Sequence, residues 1–276
     1  MPRRPAVSID YERECLLYRL PGGTSVYTHY SFLFTALFIT STLWFQGRLS
    51  SIVVAVALMV MLHLSVLAHE VGHALEARRQ HAHTKEIEIH AFGGYAHLEW
   101  DYHRGLDRRR IALAGPAVNV GLAAVLFALY ELAVRLGADD IRNYAAPFQA
   151  PGILSRVLLL SAAMNIILVV VNLLPAVPLD GGIIAEGLLS PRLGHRRARL
   201  IVACCGMMFG CVSAVVALIT LLMGMPILAP PSFRQNLAAA RESWRGGPPS
   251  SSSPAPFARR SNVVTLPPRR RQGGRP

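Results

Sequence analysis

Long apolar runs separated by short polar stretches dominate this chain. The runs cover approximately residues 30–45, 52–75, 111–136, 153–174 and 200–228. The longer ones reach the roughly 20 apolar residues that a helix needs to cross a bilayer. The pattern therefore predicts an α-helical polytopic membrane protein with about five membrane segments.

The polar stretch between the second and third runs has a different period. In KEIEIHAFGGYAHLEW, apolar and polar residues alternate on both sides of Gly93-Gly94. Alternation with a period of two is typical of strands, and paired glycines suit a tight turn. The stretch from Glu86 to Trp100 is predicted to form a short β-hairpin.

The two ends of the chain are more polar than its middle. We interpret residues 1–27 as a polar N-terminal arm and residues 28–229 as the membrane-embedded domain. Residues 230–276, rich in Arg, Pro and Ser, are predicted to be a largely disordered tail. Within that tail, FRQNLAAARESW is predicted to form a short surface helix.

Composition and charge support a membrane location and indicate an orientation. The chain is 52% hydrophobic, only 16% charged, and has a net charge of +12. Residues 1–27, 76–110 and 175–199 carry 15 basic residues together, whereas the two intervening loops carry 2. Because cytoplasmic loops are enriched in Lys and Arg, the N-terminus and the 76–110 stretch are predicted to be cytoplasmic in a multi-pass cell-membrane protein.

The preference of basic residues for the cytoplasmic side explains the excess of Arg without a nucleic-acid partner. No nucleic-acid partner is therefore expected, and the lipid bilayer is the predicted surroundings.

One segment conflicts with this rule. A single crossing by residues 200–228 places the Arg-rich tail outside, against the rule. A single crossing and a re-entrant hairpin are therefore both open for this run, as is the side on which the tail lies.

The second apolar run contains an unusual polar cluster, His69, Glu70 and His73, in the sequence LAHEVGHAL. Residues four apart project from the same face of a helix, so both imidazoles can bind one metal ion. Glu70 is then close enough to act on a metal-coordinated water. This is the HExxH arrangement of two zinc ligands and a general base. A charged carboxylate in a membrane helix costs about 2.5–3.5 kcal/mol, which disfavours a chance occurrence.

A catalytic zinc site needs a third protein ligand, and the neighbouring residues do not supply one. An extended HExxHxxGxxH motif requires Gly and His where the chain has Glu76 and Arg79. Asp180 is a more distant candidate, at the end of NLLPAVPLDGG (residues 172–182). An aspartate between prolines and glycines is also a common turn former or helix cap, so both roles are open at this point.

Other histidines have plainer interpretations. His63 lies six residues before His69, on a different side of the helix, and is predicted to bond to a neighbouring helix instead of the metal. His-rich residues 81–103 are interpreted as solvated hairpin and loop residues. An entry path for zinc is the alternative.

Four motifs in order resemble the site-2 protease family of intramembrane zinc metalloproteases. They are HEVGH, then FGG at 92–94, AGPAVN at 114–119, and NLLPAVPLDGG at 172–182. The resemblance covers about residues 28–200. It is similar to the compact form of the family, because no PDZ-like or CBS-like domain is evident. The family commonly has a sixth crossing, which is not found here.

The resemblance implies roles for five residues. His69, His73 and Asp180 are implied to bind one Zn²⁺ per chain, and Glu70 to be the catalytic base. Asn172 is implied to hold the substrate backbone or the oxyanion.

The function implied is hydrolysis of peptide bonds within or near transmembrane segments of membrane-tethered proteins, that is, regulated intramembrane proteolysis. The expected substrate is a single-pass membrane protein, such as a membrane-tethered transcription regulator or an anti-sigma factor. Two alternatives remain: a membrane zinc transporter and a non-catalytic zinc-binding membrane protein. Only the protease needs Glu70 as a base.

The hairpin suggests how a helical substrate becomes accessible. A peptide bond in a helix is shielded, and unwinding it in lipid leaves backbone groups without partners. The outer edge of the hairpin is predicted to pair with the unwound substrate as an added strand. Proline at Ile89 or His97, depending on which strand is outermost, is expected to slow cleavage.

Overall fold

The computed structural model describes residues 7–10, 14–21, 23–91, 93–99, 106–137, 152–222 and 232–245. Within these residues the chain forms five strands and eight helices. In chain order they are β1 (Val7–Asp10), β2 (Cys15–Arg19), β3 (Ser25–His29), α1 (Ser31–Ile39), α2 (Ser41–Trp44), α3 (Leu49–Arg79), β4 (His83–His90), β5 (Gly93–Glu99), α4 (Arg108–Arg135), α5 (Ile153–Asn172), α6 (Asp180–Leu193), α7 (His195–Leu222) and α8 (Ser232–Arg245).

Three of the described helices, α3, α4 and α5, are long and apolar enough to cross a bilayer. They contain 31, 28 and 20 residues and pack against one another. Only 39%, 39% and 22% of their most apolar segments is buried inside the protein, so side chains such as Val60, Val125 and Ile167 face outward. Helices that are apolar on their outer faces as well as their inner ones are suited to lipid. These helices correspond to the second, third and fourth predicted runs.

The first predicted run is divided into two helices, α1 and α2. The division falls at Thr40, whose hydroxyl donates to the carbonyl of Ala36 at 2.8 Å and accepts from the indole N–H of Trp44 at 2.9 Å. A side chain that bonds local backbone groups in this way competes with the helical ladder. With nine and four residues, each helix is too short to cross a bilayer alone.

The later part of the chain contains one helix that was not predicted. Residues from Asp180 onward, interpreted as a Pro/Gly turn, begin the 14-residue helix α6. The next helix, α7, is continuous for 28 residues and occupies most of the predicted run 200–228, whose last residues lie outside the described ranges. The predicted surface helix is present as α8, which packs against α7.

A five-stranded sheet lies beside α3, in the order β1-β2-β3-β4-β5. Neighbouring strands are antiparallel except β3 and β4, which are parallel. β4 and β5 form the predicted hairpin, with His90 paired to Gly93 and Ile87 to Ala96. Phe92 and Trp100, the remaining residues of that prediction, lie outside the described ranges. β5 is an edge strand of this sheet.

The N-terminal residues interpreted as a polar arm supply β1, β2 and the first three residues of β3. Their buried side chains, including Val26, join Ile87, Ile89 and Leu98 in a core between the sheet and α3. His63 of α3 lies 2.9 Å from the hydroxyl of Tyr18 on β2, so its partner is on a strand and not on the predicted neighbouring helix. The arm therefore belongs to the folded unit.

Two contacts hold the hairpin in place above α1. The carbonyl of Ala91 accepts a hydrogen bond from the hydroxyl of Thr35 at 2.7 Å. The N–H of Ala91 donates to the hydroxyl of Ser31 at 3.2 Å. Both backbone groups of Ala91 are thus satisfied, which fixes the end of β4 relative to α1.

Candidate metal centre

Three side chains from two distant parts of the chain meet in the interior. His69 and His73 lie on α3, and Asp180 is the first residue of α6. Oδ2 of Asp180 is 3.1 Å from Nε2 of His69 and 3.3 Å from Nε2 of His73. The two Nε2 atoms are 3.1 Å apart. The three residues are only 5%, 2% and 7% exposed.

These separations fit a tetrahedral zinc site. With metal–ligand bonds of about 2.0–2.1 Å, two ligand atoms on one tetrahedral Zn²⁺ are about 3.3 Å apart. The observed separations are 3.1, 3.1 and 3.3 Å. Two imidazoles and a carboxylate are a donor set of catalytic zinc sites, which keep a fourth position for water or substrate. Donor type, spacing and burial therefore all suit Zn²⁺.

The backbone of α4 determines which nitrogen of His73 is available to a metal. Nδ1 of His73 lies 2.7 Å from the carbonyl oxygen of Ile111. A carbonyl oxygen can only accept a hydrogen bond, so Nδ1 donates. In the neutral ring, Nε2 then keeps its lone pair, which faces His69 and Asp180. A helix that carries none of the three ligands thus orients one of them.

Gly115 of α4 lies directly against the two imidazoles. A Cβ atom at this position would stand 2.5 Å from Nε2 of His73 and 2.7 Å from Nε2 of His69. Real Cβ atoms do not approach other heavy atoms so closely. Only glycine therefore allows α4 to pack at this distance without displacing the ligand nitrogens.

Glu70 lies beside the cluster, where the sheet covers α3. It is 4% exposed, and its carboxylate accepts a hydrogen bond from the backbone N–H of Ala96 on β5. A Cβ at Gly94 would collide with the Glu70 side chain and would stand 2.7 Å from its Oε1 atom. The hairpin thus brings its edge strand into contact with the carboxylate, and a glycine provides the space.

The loop before Asp180 is shaped by the two glycines that follow it. A Cβ at Gly181 would collide with the backbone carbonyl of Leu173, and one at Gly182 would lie 2.5 Å from the carbonyl oxygen of Ala176. The first turn of α6 therefore packs closely on residues 173–177. This close packing carries Asp180 back toward α3.

A residue of the last described helix also holds this loop. Nδ2 of Asn236, on α8, donates to the carbonyl of Val177 at 2.7 Å, and its Oδ1 accepts from the N–H of Val177 at 3.0 Å. Asn236 is fully buried. Its amide satisfies both backbone groups of a residue three positions before Asp180, so α8 supports the shape of the ligand-bearing loop.

The structure brings His69, His73 and Asp180 into one buried cluster with Glu70 adjacent. Asn172 is the last residue of α5 and is half-buried, eight positions before Asp180. Its implied role with the substrate remains a prediction.

Sequence reasoning did not assign roles to several residues around this cluster. Gly94, Gly115 and Asn119 lie in the quoted motifs FGG and AGPAVN, so the signal was present as part of a family pattern. Asn119 is fully buried one turn beyond Gly115, and its amide has no hydrogen-bond partner among the described residues. Asn236 gave no signal, because a single Asn in a polar helix is ordinary.

Tyr95 is a further polar group near Glu70. Burial raises the pKa of its phenol above the usual value, and the charge of Glu70 raises that pKa further. Tyr95 therefore remains a neutral hydroxyl at physiological pH.

Comparisons with known proteins find similarity to zinc metalloproteases. The family profile described as "Peptidase family M50" matches residues 57–213. The chain is 35% identical over 167 residues to Rip3 of Mycobacterium tuberculosis, a candidate zinc metalloprotease by its name. It is 29% identical over 203 residues to a zinc metalloprotease of Methanocaldococcus jannaschii.

These alignments cover 60% and 74% of this chain but only 38% and 52% of the two relatives. The chain thus spans about two fifths to one half of their length. In structure it is similar to the site-2 protease from Methanocaldococcus jannaschii, with a TM-score of 0.53 and 21% identity. That match covers 86% of this chain and 96% of the other, and it concerns the fold.

Proposed function

We propose that this chain, which belongs to peptidase family M50, is an intramembrane zinc metalloprotease. It would hydrolyse peptide bonds within or near transmembrane segments of membrane-tethered proteins. The observation that carries the proposal is the convergence of His69, His73 and Asp180 to 3.1–3.3 Å, next to a buried Glu70. All but Asp180 lie on a helix apolar enough to span a membrane.

His69, His73 and Asp180 would hold Zn²⁺. When bound, zinc supplies Lewis acidity, which acidifies a water molecule and polarises a substrate carbonyl. Glu70 is placed to take the proton from that water and to deliver it to the leaving amine, because it adjoins the ligands without being one of the three. The burial of the centre excludes bulk water, which strengthens each of these electrostatic effects.

The edge of the sheet offers a place for an unwound substrate. In an antiparallel ladder, the backbone groups of alternate residues point to opposite edges of a strand. The N–H of Ala96 bonds to Glu70 and not to β4, so the outward groups of β5 belong to Gly94, Ala96 and Leu98. An extended substrate pairing with this edge would lie next to Glu70.

This arrangement refines the predicted proline test. Ile89 is on β4, which lies between β3 and β5, so it is not at an edge. His97 is on the edge strand, but its N–H faces β4 by the same alternation. Leu98 is therefore the informative position for proline.

We also propose a multi-pass topology of about five membrane segments with the N-terminus and the 76–110 stretch in the cytoplasm. Beyond α3, α4 and α5, the 28-residue α7 supports a fourth segment. Exposed side chains of α1 and its surroundings, such as Leu33, Phe34 and Phe45, support lipid contact by the fifth. The 15-to-2 distribution of basic residues supports the orientation.

Single cysteines test this orientation, since membrane-impermeant thiol reagents label only one side. A cysteine at Gly105 is expected to react from the cytoplasmic side and one at Asn143 from outside. Reversed labelling contradicts the proposed orientation.

The proposed substrate is a single-pass membrane protein, for example a membrane-tethered transcription regulator or an anti-sigma factor. Because the substrate helix must unwind beside β5, substrates whose transmembrane span contains Asn, Gly or Pro are favoured. These residues weaken the helix, so less helix has to be undone. A span carrying Asn-Gly is expected to be cut faster than a poly-Leu span.

Glu70→Gln tests the proteolytic function most directly. In proteoliposomes with a single-pass reporter whose span carries Asn-Gly, we expect this variant to retain zinc and lose cleavage, because the amide cannot accept the proton. Glu76→Gln, on the same helix, is the matched control and should retain both. Cleavage by Glu70→Gln at the wild-type rate contradicts the proposal, and zinc uptake into vesicles that survives this substitution favours a transporter.

A further inference from the structure

A second cluster of two imidazoles and a carboxylate lies on the face of the sheet opposite the one that packs on α3. It consists of His29 on β3 and Glu88 and His90 on β4. One potential ligand atom from each of the three residues lies within 4.8 Å of the other two. All three are half-buried. Neither the proposed proteolysis nor the motifs of the sequence account for this cluster.

Strand register explains why the three side chains meet. β3 and β4 are parallel, with Thr28 paired to Ile89, so the next residues along, His29 and His90, are also neighbours. Glu88 precedes His90 by two residues and therefore points to the same face. The opposite face, with Ile87 and Ile89, is fully buried in the core against α3.

Contacts within the cluster place donor atoms at metal-binding distances. Nε2 of His90 lies 3.3 Å from Oε2 of Glu88, which is close to the separation of about 3.3 Å between two ligands of one tetrahedral zinc. The rings of His29 and His90 are stacked, with centroids 3.9 Å apart and an interplanar angle of 20°. Because a ring nitrogen binds a metal in the plane of its ring, His29 must rotate about its side-chain torsions to complete the site.

We propose that His29, Glu88 and His90 form a second Zn²⁺ site, with water as the remaining ligand. Imidazole donors select zinc and similar transition metals over Ca²⁺ and Mg²⁺, which prefer sites made of oxygen ligands. The three ligands stand on two strands at the centre of a sheet packed on a helix, so the backbone of the site is rigid. A metal here cross-links β3 to β4, two strands whose ligands are about 60 positions apart in the chain.

A second group in the same region offers a rival arrangement. This group consists of Glu86, Glu88 and His97, so Glu88 belongs to both groups. Nε2 of His97 also lies 3.3 Å from Oε2 of Glu88. This group has one imidazole and two carboxylates and is the poorer zinc site of the two. It supplies the matched controls, because substitution of Glu86 or His97 leaves His29 and His90 in place.

The test is the zinc content of the full chain, purified in detergent and equilibrated with buffered Zn²⁺. We expect two zinc ions per wild-type chain and one in His69→Ala/His73→Ala. In that double-variant background, His29→Ala, Glu88→Gln and His90→Ala should each remove the remaining ion. His97→Ala, Glu86→Gln and the exposed His83→Ala should retain it.

A second measurement covers variants that fold poorly. Zn²⁺ should raise the melting temperature of the His69→Ala/His73→Ala protein, and this increase should vanish with the conservative change His90→Gln. One zinc per wild-type chain that is lost in His69→Ala/His73→Ala overturns the proposal, as does a second ion that depends on His97 but not on His29. Neither result bears on the proposed proteolysis, which is measured by cleavage.

Discussion

The helical core and the sheet both contain two imidazoles close to a carboxylate, but they hold them differently. In the core, the ligands are 2–7% exposed and Gly115 is pressed against both rings. On the sheet, the side chains of His90 and Glu88 are 33% and 25% exposed, and the ring of His90 stacks on that of His29. A buried site is thus fixed by its neighbours and intolerant of added atoms, whereas a surface site depends on its ligands alone.

The largest expected effect comes from filling the space at Gly115. Gly115→Ala should abolish zinc binding at the core site and all cleavage, because the new Cβ would lie 2.5 Å from Nε2 of His73. Gly121→Ala, on the same helix with nothing within 4 Å of its added Cβ, is the matched control. Zinc content by mass spectrometry and reporter cleavage measure both. A Gly115→Ala protein that retains the core zinc would show that the core is not as rigid as the comparison requires.

A change in the sheet should separate catalysis from metal binding. Leu98→Pro removes an outward N–H of β5, so we expect cleavage to fall by about fivefold, since a lost hydrogen bond is worth about 1 kcal/mol. Zinc content should be unchanged. Leu98→Ala loses the same buried side chain but keeps the N–H, and it should cleave faster than the proline variant. Equal rates for the two variants argue against strand addition.

A smaller effect is expected at the contact between α8 and the Asp180 loop. Asn236→Ala leaves the N–H and carbonyl of Val177 without their partner, which costs about 1–3 kcal/mol. Support of this kind typically changes metal affinity by about 10- to 100-fold, and we expect the lower end of that range in a zinc competition titration. Gln235→Ala, the neighbouring amide on α8, is the control. An unchanged affinity in Asn236→Ala indicates that the loop holds its shape unaided.

The smallest effect is expected from truncation after Gly246. Ending the chain after Gly246 removes residues 247–276 of the Arg/Pro/Ser-rich tail but leaves α8 intact, and it is expected to change neither zinc content nor cleavage. Ending it before Ser232 removes α8 and should behave like Asn236→Ala or worse. If truncation after Gly246 causes loss of zinc, residues 247–276 contribute to the metal centre.

The extent to which the sequence predicted these regions depends on the distance between interacting residues. His69 and His73 are one helical turn apart, so their shared face follows from local geometry. Asp180 is 111 residues from His69 and was assigned through family resemblance, because a single Asp before two glycines is ambiguous. The same ambiguity concealed α6, whose first residue is Asp180.

The sheet was only partly predictable for the same reason. The β4–β5 hairpin is local and follows from alternation around Gly93-Gly94. The parallel pairing of β3 with β4 joins segments that are separated by the three helices α1, α2 and α3. No local pattern in Ser25–His29 reveals that β4 is the partner. Gly94 and Gly115 were visible as motif residues, but the reason for a glycine appears only when the neighbouring atoms are known.

The bond between Asn236 and Val177 has a consequence for biosynthesis. The two residues are 59 positions apart, and a ribosome adds residues at about 5–20 per second, so Asn236 follows Val177 by about 3–12 seconds. During that interval the loop that carries Asp180 lacks the two hydrogen bonds that Asn236 makes with Val177. The loop of the newly made chain therefore gains this support only after the membrane helices α3, α4 and α5 have been synthesised.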